Sequence, residues 1–171
     1  LGIPAEPLFR STFVFGLFTE VSYKTSQQLK NIFGHVAYIM EGVKQLRDIP
    51  SFRMQVEYDG KVFQDEFIYG MVTNSVSVGG FKGMTGNDVK LDDGLFEVTL
   101  IRNPKNPIEL NEILACLTNM IDDSDLIYSF KTDAVHIMAK EEVSWTLDGE
   151  FGGAHREVVI RNLKQRVEIF C

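Results

Sequence analysis

The chain has 171 residues, of which 44% are hydrophobic and 24% charged, a composition that excludes a disordered or fibrous protein and predicts one ordinary globular domain. Asp and Glu number 24 against 17 Lys and Arg, so the net charge of −7 argues against a nucleic-acid partner held through its phosphates. No apolar run approaches the roughly 20 residues of a membrane span. Two cysteines, Cys116 and Cys171, are too few for a disulfide framework and favour a reducing, cytoplasmic location.

The first half of the chain predicts a strand, a helix and a hairpin. Residues 12–18 are apolar and β-prone, and from residue 25 apolar side chains recur at helical spacing until Pro50 ends the helix. Strict alternation over 51–58 predicts a strand with one buried face. Asp59-Gly60 then predicts a type I′ turn into a second strand over 61–72, because both turn residues tolerate a positive φ.

The second half predicts an irregular loop, a second helix and several short strands. Residues 75–89 contain four glycines and are interpreted as an ordered functional loop, which a strand over 95–101 follows. Asn106 is the predicted N-cap of a helix with Pro107 at its first position. Short β-like runs then recur at 126–130, 134–138, 143–147, 157–160 and 166–170.

Two helices and about ten strands predict an α+β, mostly β domain, because no alternation of strand and helix supports a parallel sheet. The spacing of the short strands is typical of an antiparallel sandwich or barrel. Trp145 and the phenylalanines near the N-terminus are predicted to pack in the core. The thirteen phenylalanines also leave open an apolar groove for a lipid.

Common catalytic signatures are weak in this chain. The three histidines, His35, His136 and His155, lack the spacing of a metal site. A Ser-His-Asp triad stays open, although no Gly-x-Ser-x-Gly elbow nominates its nucleophile. The glycine loop lacks the Walker A pattern, since Lys82 is followed by Gly83 rather than by Ser or Thr.

Two acidic turns are the candidate sites. Asp92 and Asp93 lie in a turn whose carboxylates and backbone carbonyls form the kind of ligand set that Mg²⁺ accepts, and a solvated acidic turn is the alternative. Asp148 and Glu150 flank Gly149 between two predicted strands. Either carboxylate can accept a proton from a substrate hydroxyl if it faces a cleft, and a plain hairpin turn is the alternative.

Several segments carry a family resemblance through their order and spacing. They are Phe15–Val21 with Leu29–Tyr38, Gly79-Gly80 with Leu91–Phe96, and Leu147–Glu150. Together they resemble the C-terminal domain of the bacterial diacylglycerol kinase and related lipid kinase family, whose relatives include sphingosine kinases and which has an NAD kinase-like fold. The resemblance covers roughly residues 12–170 and implies an antiparallel two-sheet sandwich with two helices.

The resemblance also implies roles for the two turns. A structural Mg²⁺ would be bound by the Asp93 side chain and the backbone carbonyls of Lys90 and Leu95. Asp148 would be the general base, with Glu150 as its close alternate. ATP would bind mainly to an N-terminal nucleotide-binding domain, and the acceptor would be a lipid hydroxyl reached at the membrane surface, with diacylglycerol the first choice.

Two departures from the family pattern accompany the resemblance. Asn87 and Val89 stand where the family usually has a proline and a small residue, and the Gly-Gly-Asp-Gly-Thr signature of the nucleotide-binding domain is absent. Residues 1–11 are therefore interpreted as the end of a linker from that domain and 12–171 as the C-terminal domain, inactive alone. Alternatives are a non-catalytic lipid-binding or regulatory domain and a kinase acting on a sphingoid base or nicotinamide dinucleotide; a homodimer is left open.

Overall fold

A computed structural model describes residues 11–16, 49–75, 89–117 and 123–164. Within these ranges the chain forms seven strands and one helix. They are β1 (Thr12–Gly16), β2 (Phe52–Tyr58), β3 (Lys61–Thr73), β4 (Phe96–Arg102), α1 (Pro107–Leu117), β5 (Ile127–Thr132), β6 (Ala134–Leu147) and β7 (Glu150–Arg161). The helix predicted over 25–49, most of the glycine loop and the strand predicted over 166–170 lie outside the described residues.

All seven strands belong to one antiparallel sheet. Its order is β1-β6-β2-β3-β4-β5, with β7 paired to β6, and β1 also pairs with β3. The strands β1, β6, β2 and β3 therefore close into a small ring. A mostly β domain is confirmed, but the described strands form a continuous sheet containing this small barrel, so a sandwich of two separate sheets is not confirmed.

The strand β1 can close the ring because two glycines let it lie close to β3. Gly16 has a φ of +93°, and a Cβ there would lie 2.1 Å from the Ile68 backbone oxygen. Gly70 faces the ring of Phe15, which would lie 2.1 Å from an added Cβ. These positions admit only glycine without displacement of the neighbouring strand.

Two apolar layers cover the sheet. The first contains Phe15, Phe67, Met54 and Trp145, with the Phe15 and Trp145 rings 5.0 Å apart, and confirms the predicted core role of the tryptophan. The second layer contains Ile113 of α1, which packs on buried side chains of β3 and β4. Burial of both layers supplies most of the free energy that stabilises the sheet.

The helix α1 begins as the sequence predicts. The Asn106 side-chain oxygen accepts hydrogen bonds from the backbone N–H groups of Ile108 and Glu109, at 2.9 and 3.0 Å. These bonds satisfy donors that an α-helix leaves without partners at its first turn. Leu110 and Ile113 are the buried residues of the described helix.

The hairpin turns are confirmed, whereas two strand boundaries are wrong. Asp59 has a φ of +47° and Asp148 a φ of +50°, each followed by a glycine of positive φ, as a type I′ turn requires. The runs 134–138 and 143–147 form one strand, β6, rather than two. The pairing with β7 shifts between Met138 and Val143, so the intervening polar residues are a bulged part of the strand. β7 begins at Glu150, seven residues before the predicted strand, because the pairing starts directly after the turn.

Candidate functional site

Asp148 fastens the β6–β7 turn to the start of β1. Its Oδ1 accepts hydrogen bonds from the Ser11 N–H at 3.0 Å, the Ser11 hydroxyl at 2.8 Å and the Thr12 N–H at 2.9 Å. The Asp148 N–H in turn donates to the Thr12 carbonyl at 2.9 Å. Among the described residues, Oδ2 has one longer contact, 3.3 Å from the Ser11 nitrogen. We call this set of bonds the Asp148 clasp.

The carbonyl of Ser11 points away from Asp148 and contacts the end of β3. It accepts hydrogen bonds from the Asn74 N–H at 2.8 Å and the Thr73 hydroxyl at 3.1 Å. The Asn74 side-chain amide then donates to the Leu91 carbonyl at 3.2 Å. Through Ser11 and Asn74, the turn containing Asp148 is therefore linked to the turn containing Asp93.

Glu150, the alternate candidate base, lies two residues after Asp148. It is the first residue of β7 and pairs with Leu147 across the turn, and its side chain is exposed. The two candidate acids therefore differ in their surroundings. The Asp148 carboxylate has a fixed orientation, while the Glu150 carboxylate lies at the exposed start of the strand.

The second acidic turn runs through residues 89–95 and leads into β4. The Asp93 Oδ1 accepts the Leu95 N–H at 2.9 Å, a local bond that fixes the carboxylate over the turn. Gly94 follows with a φ of +83°. Lys90 and Leu91 are exposed, whereas Leu95 is half-buried where the chain enters the strand.

A buried acid that sequence reasoning missed lies two residues beyond this turn. Glu97 on β4 is 5% exposed, and its cross-strand neighbours are Thr73 and Lys131. Lys131 Nζ lies 3.5 Å from its Oε1. Burial raises the pKa of the Glu97 carboxyl; the positive charge of Lys131 opposes this rise, and the negative charge of Asp93 adds to it. The sequence signal that could have located Glu97 is its position between Phe96 and Val98 in a mostly apolar strand.

The donor set at this turn fits a hard cation in its chemistry. Among the described residues, no three His, Cys, Asp or Glu side chains are grouped to hold a metal ion. Beside this turn, three buried oxygens nevertheless have no hydrogen-bond partner among the described residues, Asn74 Oδ1 and both carboxylate oxygens of Glu97. Carboxylate and amide oxygens are ligands that Mg²⁺ accepts. The turn therefore offers acceptor oxygens for a cation and no soft ligand.

A polar pocket among the described residues lies away from both acidic turns. A pocket of about 250 Å³ is lined by Ser51, Arg53, Glu66, Lys140 and neighbouring residues of β2, β3 and β6. None of the five residues predicted to bind metal or act as a base contributes to it. This pocket is therefore separate from the candidate site.

Two of the histidines have described partners. The His136 ring bridges two carboxylates, with Nδ1 3.3 Å from Glu57 and Nε2 2.8 Å from Glu157. These contacts raise the pKa of His136, the hydrogen bond to Glu157 contributing most. His155 Nε2 lies 3.1 Å from the Gly152 carbonyl. His35 lies outside the described residues.

The fold and the two linked turns define a mostly antiparallel β domain with acidic groups gathered at one end of its sheet. Residues 14–169 match the family described as the YegS C-terminal NAD kinase beta sandwich-like domain. The chain belongs to this family. The resemblance found in the sequence, to the C-terminal domain of bacterial diacylglycerol kinases, is thereby confirmed.

The chain is also similar to curated proteins named diacylglycerol kinase. It is 35% identical over 157 residues to that of Staphylococcus carnosus, a match that covers 91% of this chain and 50% of the relative. It is 34% identical over 140 residues to that of Bacillus subtilis, covering 81% of this chain and 45% of the relative. The chain thus spans about half the length of the curated relatives it matches.

A solved structure supports the fold. The crystal structure of a diacylglycerol kinase from Bacillus anthracis str. Sterne matches with a TM-score of 0.58 and 21% identity, over 91% of this chain and 47% of that one. At this identity the likeness concerns the fold alone. Within the described part of the chain, no helix has the length and apolarity needed to cross a bilayer.

Proposed function

We propose that this chain is the C-terminal half of an ATP-dependent lipid kinase that phosphorylates a lipid hydroxyl, with diacylglycerol, converted to phosphatidic acid, as the first-choice acceptor. Family membership and relatives named diacylglycerol kinase support the kinase class. The span of about half of each relative supports the assignment to one half of a larger enzyme. The acceptor rests on the relatives' names.

The single observation that carries the proposal is the link between the two acidic turns. Asp148 binds the N–H and hydroxyl of Ser11, and the carbonyl of Ser11 binds Asn74, which reaches the 89–95 turn through Leu91. The resemblance assigns both turns to one reaction. Such an assignment requires that the two turns lie at the same end of the sheet.

In this proposal Asp148 orients the acceptor hydroxyl and takes its proton as the hydroxyl oxygen attacks the γ-phosphorus of ATP and ADP leaves. Oδ1 is held by Ser11 and Thr12, so Oδ2 is the oxygen that meets the substrate. Glu150 is the alternate base two residues on. Phosphoryl transfer depends mainly on positioning and charge neutralisation, and a clasped carboxylate supplies positioning.

ATP, Mg²⁺ and the lipid acceptor complete the proposed reaction. ATP would bind mainly to an N-terminal nucleotide-binding domain, the partner that this half requires for turnover. Mg²⁺ held by Asp93 and the carbonyls of Lys90 and Leu95 would supply positive charge that stabilises the turn. The lipid would be reached from the cytoplasmic side at the membrane surface.

The test is radiolabelled ATP turnover by the full-length protein against diacylglycerol, monoacylglycerol, sphingosine and nicotinamide dinucleotide. Asp148→Asn and Glu150→Gln are compared, since each removes one candidate base and keeps the shape of the side chain. We expect labelled lipid from the unmodified protein and a drop in kcat of at least 100-fold in Asp148→Asn, on the scale of about 10²–10⁴ for a general base. Unchanged kcat in both variants would overturn the assignment of the base.

The Asp148 clasp also favours a second candidate, a non-catalytic lipid-binding or regulatory domain of the same fold. Three donors on one carboxylate oxygen are what a purely structural aspartate at a strand junction would show. A folded full-length protein that binds ATP and phosphorylates none of the four acceptors would support this candidate. Saturable binding of a fluorescent diacylglycerol would then be its positive test.

A further inference from the structure

The end of the β3–β4 pair contains a buried acid that a single described cation meets only at the edge of ion-pair distance. Glu97 is buried, neither of its carboxylate oxygens has a hydrogen-bond partner among the described residues, and it follows the 89–95 turn by two residues. The cation beside it, Lys131, stands 3.5 Å away and is 37% exposed. A buried carboxylate without hydrogen bonds is unfavourable unless a positive charge meets it directly.

Asn74 adds an uncharged acceptor at the same turn. The Leu91 carbonyl can only accept a hydrogen bond, so the Asn74 amide must present its NH₂ group to Leu91, as the structure shows. This contact fixes the other end of the amide, and Asn74 Oδ1 is left buried and without a partner. The turn is therefore bordered by acceptor oxygens from two strands.

We propose that Glu97 is a further ligand, directly or through one water molecule, of the divalent cation bound at the 89–95 turn. The inference rests on the proposed function insofar as it takes the Asp93 turn as the cation site. It adds an anionic ligand from β4 to a set otherwise made of one carboxylate and two backbone carbonyls. Mg²⁺ keeps several waters in such sites, so a carboxylate that binds through water still contributes.

The competing interpretation makes Glu97 the partner of Lys131 alone. Under it, the ion pair is complete without a metal, and removing the carboxylate changes stability but not cation affinity. Under the proposal, Lys131 competes with the cation for the same carboxylate. Only the proposal therefore predicts that Lys131 affects cation binding.

The test is Mn²⁺ binding by the full-length protein, measured by isothermal titration and by the electron paramagnetic resonance signal of free Mn²⁺. Mn²⁺ is the probe because it shares the oxygen-ligand preference of Mg²⁺. We expect Glu97→Gln to raise the Kd at least tenfold and Asp93→Asn to abolish binding. Glu141→Gln, an exposed acid on β6, is the matched control and should leave the Kd unchanged.

The outcomes separate the role of Glu97 from the role of Asp93 in cation binding. A Kd within twofold of the unmodified protein in Glu97→Gln, with binding lost in Asp93→Asn, overturns the role of Glu97 and leaves the proposed metal turn intact. Binding that survives Asp93→Asn but not Glu97→Gln supports Glu97 and overturns the metal role of Asp93. Absence of Mn²⁺ binding by the unmodified protein overturns both.

A second variant covers the case in which Glu97→Gln does not fold. Lys131→Met keeps the carboxylate and removes the competing cation, so we expect Mn²⁺ to bind more tightly. Unchanged affinity in Lys131→Met would contradict the proposal. Thermal unfolding without metal, recorded for every variant, separates loss of fold from loss of a ligand.

Discussion

Asp148 and Asn74 bind opposite sides of the same residue, because Ser11 donates its N–H and hydroxyl to Asp148 and accepts the Asn74 N–H on its carbonyl. Ser11, which directly precedes β1, therefore links the β6–β7 turn to the end of β3. This relationship gives the candidate site its geometry. It also means that a substitution at Asp148 has a structural effect as well as a chemical one.

The first prediction separates these two effects. Asp148→Ala removes the acceptor of three hydrogen bonds and places alanine at a φ of +50°, so we expect the free energy of unfolding to fall by about 1–2 kcal/mol. Asp148→Asn keeps an acceptor oxygen and tolerates the positive φ, so it should lose less than half as much. Urea unfolding of both variants gives the comparison. Equal losses in the two variants would mean that the clasp does not stabilise the turn.

The second prediction concerns the closure of the ring by β1. Gly16→Ala would place a Cβ 2.1 Å from the Ile68 backbone oxygen at a φ of +93°, so we expect a loss of about 2–4 kcal/mol in the free energy of unfolding. Gly60→Ala is the matched control, since Gly60 also has a positive φ, +71°, but nothing lies within 4 Å. It should cost only about 1 kcal/mol. Similar losses would show that crowding against β3 is unimportant.

The third prediction follows from the position of His136 between Glu57 and Glu157. Its folded pKa is raised above its ordinary value of 6.5, so the protonated bridge stabilises the fold fully below about pH 6 and progressively less as pH rises through the raised pKa. His136→Gln should therefore lower the free energy of unfolding more at pH 5.5 than at pH 8.5. A pH-independent loss would contradict the bridge.

The fourth prediction concerns Glu66. Hydrogen bonds from Lys105 at 2.8 Å and Ser51 at 2.6 Å lower its pKa from 4.5 to about 2, the Lys105 bond contributing most. Because the folded pKa is depressed, this contribution to stability is present above about pH 4.5 and is lost as pH falls toward 2. Carbon-detected NMR titration should show the Glu66 carboxylate still ionised at pH 3. In Lys105→Met its midpoint should move upward, and an unmoved midpoint would contradict the pairing.

Local features of the fold were predictable because short-range chemistry determines them. The Asp59-Gly60 turn follows from two residues that tolerate a positive φ, and the Asn106 cap follows from its spacing to Glu109. Burial of Trp145 follows from its size and its place in an apolar strand. The turn and the cap depend on no partner distant in the sequence, and an apolar side chain as large as that of Trp145 is buried whichever strand it meets.

Features that depend on distant partners were not predictable. β1 pairs with β3 and also with β6, which lies more than a hundred residues further along the chain, and no periodicity encodes which strands meet. The bulge that makes β6 one long strand was misinterpreted as a break, because Lys140 to Glu142 are polar. Only the turn residues signalled where β7 begins.

The candidate site also has features that were predictable from the sequence and features that were not. The two acidic turns were located from residue types and the resemblance, whereas their link through Ser11 and Asn74 appears only when β1 is placed between two other strands. Glu97 was missed because a single acid in a strand usually faces solvent. Its side chain is 5% exposed in a strand paired on both sides, which strand alternation alone does not reveal.

The order in which the ribosome makes the chain has a consequence for the ring. β1 is synthesised before the other described strands, yet its hydrogen bonds to Asp148 join residues 136 and 137 positions apart. The ring therefore cannot close until nearly all of this domain has left the ribosome, and β1 must wait without one of its partners. A stalled or truncated product ending before β6 would expose a strand of apolar residues with an unpaired edge. Quality control of incomplete chains is therefore more important for this protein than for a helical bundle of the same length.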